Sequence, residues 1–302
     1  MSLRDAYPVD ASADTRRFIR YWFDNRNRRE LAALSQAIRG VRADDVRQVL
    51  WCAFSRLIIA KQASASRAMD IAHSRPHLVL NREPIRPYEC FLSAVERVLC
   101  ARDEVQYAGP TPSLSQGDAR ELPLESETID LAITSPPYLN AIDYLRGHKF
   151  TLVWMGHDVG KIRGLRAGNI GTEVSAGASP DDKNVATVLR RMRREKSLPR
   201  REWMMFARYL NDMDAVLSEL HRVLVPGGHA ILVLGNNTVR GVFVRNAHAI
   251  GLLGELVGFQ EYERTRRLLP PNRRYLPPPV TGAGEQLEAR MREEVVLTLA
   301  KR

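Results

Sequence analysis

The sequence predicts an α/β fold with an N-terminal helical region, and three observations indicate it. The first hundred residues repeat apolar positions at helical spacing. Two later runs, Thr128–Thr134 and Ala230–Leu234, have the length and apolar content of buried strands. A long amphipathic segment, Arg201–Val225, separates those runs, as in a strand–helix–strand unit. We therefore divide the chain into a helical cap at residues 1–104 and an α/β core at residues 105–302.

Composition and charge limit the function classes. The chain has 302 residues, of which 44% are hydrophobic, so it can form a proper core and is not a disordered protein. A formal charge of +10 is typical of proteins that bind polyanions. Its three cysteines, Cys52, Cys90 and Cys100, lack the spacing of a disulfide framework or a zinc site. We expect a cytoplasmic protein with no membrane segment and no metal requirement.

The helical cap contains three predicted helices and one loop. In chain order they are Thr15–Ile38, Ala43–Gln62, the loop Ala63–Tyr88, and the helix Glu89–Ala101. None of the helices carries an obvious catalytic group, so the region is interpreted as a cap or lid.

The core opens with a short predicted strand, Val105–Ala108, and a second stretch that ends in Gln116–Arg120. Gly117 permits a tight exit, after which Asp118 presents a carboxylate at the carboxyl end of the strand. Open parallel sheets bind ligands at that edge. The chemistry of Asp118 equally suits the capping of a turn or helix, and both interpretations stay open.

The tetrapeptide Ser135-Pro136-Pro137-Tyr138 closes the run Thr128–Thr134. Two prolines fix the backbone and remove N–H donors, so they predict a rigid outward corner with a hydroxyl on one side and an aromatic ring on the other. Ser135 Oγ and the Pro136 carbonyl could accept hydrogens from the exocyclic amine of a nucleobase. Tyr138 could stack on an extruded base. The alternative is an ordinary Pro-Pro turn after a buried strand.

Thr-Ser-Pro-Pro-Tyr at the end of a strand resembles the catalytic motif of the S-adenosylmethionine-dependent amino-methyltransferases of DNA. The serine-led form is most similar to the cytosine-N4 branch, with adenine N6 as the next choice. The resemblance implies a Rossmann-like methyltransferase sheet, S-adenosylmethionine as cofactor and DNA as partner. It implies catalytic roles for Ser135, Pro136, Pro137 and Tyr138, and cofactor contacts from Asp118, Thr134 and Ser135.

After the corner, Leu139–Trp154 is predicted to be a helix, and the glycine-rich section Gly156–Ser179 a flexible loop over the site. Within Leu189–Arg201 we expect nucleic-acid phosphate contacts, because guanidinium groups suit phosphate geometry. The predicted contacts are Arg190, Arg191, Arg193, Arg194, Lys196, Arg200 and Arg201. A solvated helix face is the alternative. The whole basic insertion spans about residues 156–201.

The C-terminal part completes the predicted sheet. Pro226-Gly227-Gly228 ends the long helix, and Gly235-Asn236-Asn237 forms a strand exit beside the presumed site. A last helix, His248–Val257, ends at Gly258. The strands Phe259–Leu268 and Glu294–Ala300 then form an antiparallel pair. Between them, the loop Asn272–Tyr275 could contact DNA or be a rigid surface excursion.

One part of the family pattern is missing. The family binds its cofactor with a glycine-rich turn after the first strand, and no such turn is recognisable here. Thr281–Gly284 is similar but follows Pro277–Pro279 with only Val280 between them. Three explanations remain: a second polypeptide supplies the missing strands, the chain cannot bind cofactor, or it is a DNA-binding partner of a catalytic homologue. The predicted function is cytosine-N4 DNA methylation, with a non-catalytic DNA-binding subunit and an adenine-N6 DNA or RNA methyltransferase as alternatives.

Overall fold

The computed structural model describes residues 2, 5–60, 63–69, 71, 76–81, 83–100, 109–139, 144–171, 183–192, 198–239, 242–269 and 293–302. Several predictions lie outside these residues: the strand Val105–Ala108, the loop Asn272–Tyr275, the Thr281–Gly284 segment and the boundary between residues 104 and 105.

The chain forms two compact units, each built from two separate segments. The first unit contains Met1–Pro112 and Asp143–Arg166, and the second contains Ser113–Ile142 and Ala167–Arg302. The chain therefore leaves the first unit, returns to it after the Ser135–Tyr138 corner, and leaves again.

The first unit is mainly helical. Its elements are α1 (Ala13–Trp22), α2 (Asn25–Arg39), α3 (Asp44–Ile58), a short pair β1 (Ala68–Met69) and β2 (His77–Leu78), α4 (Pro87–Cys100), α5 (Tyr144–Leu152) and α6 (Val159–Ala167). Its apolar core includes the fully buried aromatic residues Phe54, Phe150 and Trp154. The predicted N-terminal helical region is confirmed.

The single helix predicted over Thr15–Ile38 is wrong, because the chain breaks between α1 and α2. Asp24 is extended there, and its carboxylate accepts a 2.8 Å hydrogen bond from the Asn27 backbone N–H. A short carboxylate side chain satisfies the free N–H groups of a helix start better than it continues a helix. The apolar periodicity runs across the break and so conceals it.

The glycine-rich section is also not a loop throughout, because α6 occupies part of it. Asp158 begins this helix by accepting hydrogen bonds of 2.8 Å from the Gly160 N–H and 3.2 Å from the Lys161 N–H. Val159 and Ile162 are buried in the core of the first unit. Burial of these two side chains outweighs the low helix propensity of glycine.

Among the residues that the structure describes, the second unit contains a four-stranded sheet, a short hairpin and three helices. Its elements are β3 (Ile129–Thr134), α7 (Lys183–Arg191), α8 (Arg200–Val223), β4 (Leu224–Gly235), a hairpin of β5 (Asn237–Val239) and β6 (Val242–Val244), α9 (Asn246–Val257), β7 (Phe259–Leu268) and β8 (Glu293–Lys301). The strand order is β3-β4-β8-β7, with β3 and β4 parallel and the other neighbours antiparallel. The Rossmann-like α/β prediction is confirmed, as are α8, α9 and the β7–β8 pair.

One face of the sheet packs on helices. Along β4, Ala230, Leu232 and Leu234 are fully buried and share an apolar core with side chains of α8 and α9. Alternate residues such as Ile231 and Val233 point to the other face and are only half-buried. Among the described helices, even the 24-residue α8 is too polar to serve as a transmembrane span.

Pro226-Gly227-Gly228 lies inside β4, which corrects the prediction that it separates the helix from the strand. α8 has already ended at Val223. A Cβ on Gly228 would lie 2.9 Å from the Val225 carbonyl oxygen and 3.0 Å from the Asp130 carbonyl oxygen, so a larger residue would force the backbone of β4 to shift.

Candidate active site

The Ser135–Tyr138 corner leaves the sheet where the parallel strands β3 and β4 both end. Thr134 pairs with Leu232, and Ser135 Oγ donates a long hydrogen bond of 3.5 Å to the Val233 carbonyl. Ser135 is exposed, whereas Pro136 is buried. The hydroxyl therefore faces solvent from a backbone that is fixed immediately after it, and its oxygen keeps the capacity to accept hydrogen bonds.

The chain after the corner is anchored to the exit of β4. Leu139 is fully buried, and its carbonyl accepts a hydrogen bond from Asn237 Nδ2. Asn246 Nδ2 donates at 3.3 Å both to the Gly235 carbonyl and to the Tyr209 hydroxyl. The strand exit at residues 235–237 thus lies beside the corner, as the sequence predicts.

Tyr138 is held by a carboxylate on β8, which lies two strands from β3 in the sheet. Its hydroxyl donates a 2.8 Å hydrogen bond to Glu294 Oε1, and Arg267 Nη2 donates a 2.5 Å bond to Glu294 Oε2. Arg267 and Glu294 are direct partners in the β7–β8 ladder. Burial, together with the bond to Glu294, raises the pKa of Tyr138 to about 12. The phenol therefore stays protonated as a donor, and the ring orientation is fixed at its hydroxyl end.

The glycine-rich section reaches the corner at Gly171. A Cβ on Gly171 would lie 3.5 Å from the Tyr209 ring and 3.9 Å from Pro137 Cβ and the Tyr138 carbonyl. The φ angle of Gly171 is +75°, a conformation that favours glycine. The backbone at this position therefore lies close against the corner.

Asp118 does not follow a strand, which corrects the prediction for the stretch before it. Residues 109–117 lie outside any helix or strand, and Asp118 forms an isolated bridge with Glu121. Pro110 and Pro112 interrupt a possible ladder, because proline has no N–H to donate.

The Asp118 carboxylate is engaged by Arg120. Its Oδ1 accepts the Arg120 backbone N–H at 2.9 Å, and its Oδ2 lies 2.7 Å from Arg120 Nη2. These bonds lower the pKa of Asp118. Arg120 also donates to Asp212 Oδ1 at 2.8 Å and to the Gly168 carbonyl at 2.9 Å. Among the described residues, no hydrogen bond joins Asp118 to residues 134–138. The contacts are those of a turn cap, and a cofactor contact from Asp118 stays a prediction.

The basic stretch is described only at its two ends. Arg190 and Arg191 end α7, whereas Arg200 and Arg201 begin α8, and the charged residues here are largely exposed. Cations at the start of α8 lie at the positive end of the helix dipole, which destabilises the helix slightly. An anionic partner bound there would offset this destabilisation. The other predicted contacts, Arg193, Arg194 and Lys196, lie outside the described residues.

Sequence reasoning missed Glu294, Arg267, Arg120 and the contact of Gly171. Glu294 is predicted only as the first residue of a strand, and its partner Tyr138 lies 156 positions earlier. The alternation of polar and apolar residues along the two predicted strands could have indicated that Arg267 and Glu294 face each other across the β7–β8 ladder. In the described part of the chain, no group of three His, Cys, Asp or Glu side chains could hold a metal ion.

Comparisons with known proteins add little to this geometry. No protein-family model and no curated protein sequence matches the chain. Three crystal structures of TTHA0409, a candidate DNA modification methylase from Thermus thermophilus, match 61% of the chain at 18–20% identity, with TM-scores of 0.30–0.32. One of them is a complex with S-adenosyl-L-methionine. The match spans 50–52% of the length of that protein.

Proposed function

We propose that this chain provides the base-modifying part of an S-adenosylmethionine-dependent DNA methyltransferase that acts on cytosine N4, with adenine N6 as the next choice. One observation carries the proposal: an exposed serine hydroxyl and a diproline backbone stand at the carboxyl end of β3, beside a tethered tyrosine. Open α/β sheets bind ligands at this edge.

Ser135 and Pro136 provide acceptors for the target amine. No donor among the described residues binds the Pro136 carbonyl oxygen. Ser135 Oγ donates the long bond to the Val233 carbonyl and also interacts with the Tyr138 hydroxyl, and its oxygen keeps a lone pair for the amine. An exocyclic amine is a weak nucleophile, because its lone pair is delocalised into the base. Two acceptors on its hydrogens favour a pyramidal nitrogen and restore that lone pair, so these groups would act by orientation and polarisation.

Tyr138 provides the stacking surface. Base–aromatic stacking contributes about 1–3 kcal/mol per base, and an extruded base needs such a platform. The bond to Glu294 fixes the hydroxyl end of the ring, so the face is already oriented when a base arrives. A fixed platform loses less conformational entropy on binding than a mobile one.

The described residues do not complete a site for S-adenosylmethionine. The Asp118 carboxylate is already hydrogen-bonded to Arg120, and no glycine-rich turn follows a described strand. The cofactor would supply an electrophilic methyl group. We therefore keep the split-enzyme hypothesis, in which a second polypeptide provides the cofactor-binding strands.

The two edges of the sheet support this hypothesis. β7 carries five charged residues among its ten, which is how natural sheets protect an exposed edge. β3 lies at the other edge of the described sheet and contains only one charged residue, Asp130. Leu131 and Ile133 on β3 are 50% and 69% exposed. An apolar edge strand with a parallel neighbour suits a further strand beside it.

DNA is the proposed partner of the basic stretch. Arg190, Arg191, Arg193, Arg194, Lys196, Arg200 and Arg201 would contact phosphates. Such contacts add affinity without sequence choice, and they make binding sensitive to salt.

Product analysis tests the proposed function. The chain is expressed in a host without DNA methyltransferases, alone and together with the protein from the neighbouring reading frame. Mass spectrometry of the hydrolysed DNA should show N4-methylcytosine in the co-expressing cells. N6-methyladenine would move the target to adenine, and unmodified DNA in every combination would contradict catalysis.

Calorimetry tests the split arrangement separately. The purified chain is titrated with S-adenosylmethionine, and weak or undetectable binding is expected. Tight binding by the lone chain would exclude the need for a second polypeptide and leave the base-modifying role intact.

A non-catalytic DNA-binding subunit is the second candidate. The engagement of Asp118 by Arg120 favours it, because that carboxylate is already satisfied inside the chain. Such a subunit would keep salt-sensitive DNA binding and transfer no methyl group in any pairing.

A further inference from the structure

Positive charge is concentrated in the first unit. That unit contains 23 Lys and Arg residues against 15 Asp and Glu, whereas the second unit contains 22 against 20. The basic stretch at residues 189–201 belongs to the second unit, which is close to neutral. Most of the positive charge excess of the chain therefore lies in the first unit and not in the unit that contains the basic stretch.

Two helices of the first unit expose cations on the side away from the core. α1 buries Thr15 and Ile19, and α6 buries Val159 and Ile162. We define the α1–α6 face by the exposed cations of both helices: Arg16, Arg17, Arg20, Lys161 and Arg163.

The first turns of the two helices touch, and the exposed cations of both helices follow this junction. Thr15 Oγ1 donates a 3.0 Å hydrogen bond to Asp158 Oδ2 and accepts a 3.0 Å bond from the Val159 N–H. The Lys161 N–H donates to Asp158 Oδ1 at 3.2 Å. At the junction, Asp158 therefore accepts hydrogen bonds from hydroxyl and backbone groups. It forms no described ion pair with the exposed cations.

Most cations of the α1–α6 face lack a carboxylate partner. Arg20, Lys161 and Arg163 form no ion pair within the part of the chain that the structure describes. The single acidic residue of α1, Asp14, lies 3.5 Å from Arg17 in an exposed pair, and such pairs contribute little. Tyr21, 55% exposed, follows Arg20 directly and lies one turn after Arg17. Unpaired cations on touching helices repel one another, and an anionic partner would relieve that repulsion.

We infer that the α1–α6 face binds the phosphate backbone of DNA. The inference rests on the proposed function and adds a contact surface in the helical unit. Guanidinium groups match phosphate geometry, and the exposed Tyr21 beside Arg20 suits sugar or base contacts. The contacts position the duplex and carry no sequence choice.

The test is fluorescence anisotropy of a labelled duplex DNA of mixed sequence, titrated with the full chain over a series of salt concentrations. The test variant is Arg20→Gln with Lys161→Gln. The matched control is Arg42→Gln with Arg56→Gln, which removes the same charge from exposed residues of the same unit that also form no described ion pair. Circular dichroism confirms that each variant is folded.

Each phosphate contact contributes about 0.9 to the slope of log affinity against log salt. The Arg20/Lys161 variant should therefore lower the slope by about 1.8 and weaken binding, whereas the control keeps the wild-type slope. An unchanged slope in the test variant, or an equal change in both variants, would overturn the inference and leave the proposed function standing. Wild-type chain that binds anionic phospholipid vesicles but no DNA would contradict the inference and, separately, the choice of DNA as substrate.

Discussion

Tyr138 shows how a single residue depends on distant parts of the chain. Its backbone belongs to the corner after β3, whereas its hydroxyl is fixed by Glu294 on β8 and, through Glu294, by Arg267 on β7. Two strands at the C-terminal end of the chain therefore orient the ring that we propose as the stacking platform. The diproline backbone alone would leave the side chain free to rotate.

Removing the charge of Glu294 should lower the pKa of Tyr138. In Glu294→Gln the carboxylate no longer opposes formation of the phenolate, while burial still does, so the pKa should fall from about 12 and stay above its ordinary value. Arg267→Gln should act in the opposite direction, because the arginine favours the phenolate. Ultraviolet difference titration against Tyr138→Phe isolates the signal. Identical titrations of wild type and Glu294→Gln would contradict the tether.

Asp158 joins two elements of the first unit. It begins α6 and accepts hydrogen bonds from Ser12 Oγ and Thr15 Oγ1 at the start of α1. These bonds, the hydroxyl bonds foremost, lower the pKa of Asp158 to about 2. Since the unfolded chain binds the proton more tightly, the resulting stability is present above about pH 4 and is lost as the pH falls toward 2.

Asp158→Asn should therefore remove part of the acid sensitivity of the first unit. The amide cannot accept all four bonds, so we expect a loss of about 1 kcal/mol in the free energy of unfolding near neutral pH. The loss should shrink below pH 4. Urea unfolding at several pH values measures both effects, with the exposed Asp45→Asn on α3 as control. A loss that does not depend on pH would contradict the account.

The elements also show which local rules the sequence obeys. α8, α9 and the β7–β8 pair follow their periodicity, because one face of each is buried and glycine ends α9 at Gly258, where φ is +118°. The break at Asp24 and the helix after Asp158 escape the same patterns, because a side-chain cap decides each of them. Apolar periodicity predicts which residues are buried but gives no information about such caps.

Part of the candidate site could be predicted and part could not. The Ser135–Tyr138 corner follows from proline geometry at the end of an apolar run. Its partners Asn237, Gly171 and Glu294 are set by the pairing of segments far apart in sequence. Asp118 is a case in which a local pattern predicts the wrong structure, because the expected strand end is a turn held by Arg120.

At the scale of the whole molecule, the uneven edges of the sheet are the main feature to explain. Leu131 and Ile133 are too exposed to stabilise the lone chain strongly. Leu131→Thr with Ile133→Thr should therefore change the free energy of unfolding by less than about 1 kcal/mol. Leu297→Thr, at a fully buried position of β8, should cost about 2–5 kcal/mol. Denaturant unfolding compares them, and equal losses would show that the β3 face is already covered.

The most direct measurement of the central claim is the rate of methyl transfer from radiolabelled S-adenosylmethionine to DNA by Ser135→Ala, assayed with whichever polypeptide restores activity to the wild type. Loss of the hydroxyl acceptor should lower the rate on the order of 10²-fold while DNA affinity stays unchanged. The exposed Ser126→Ala is the matched control and should keep the wild-type rate. A Ser135→Ala rate equal to that of the wild type would contradict the account.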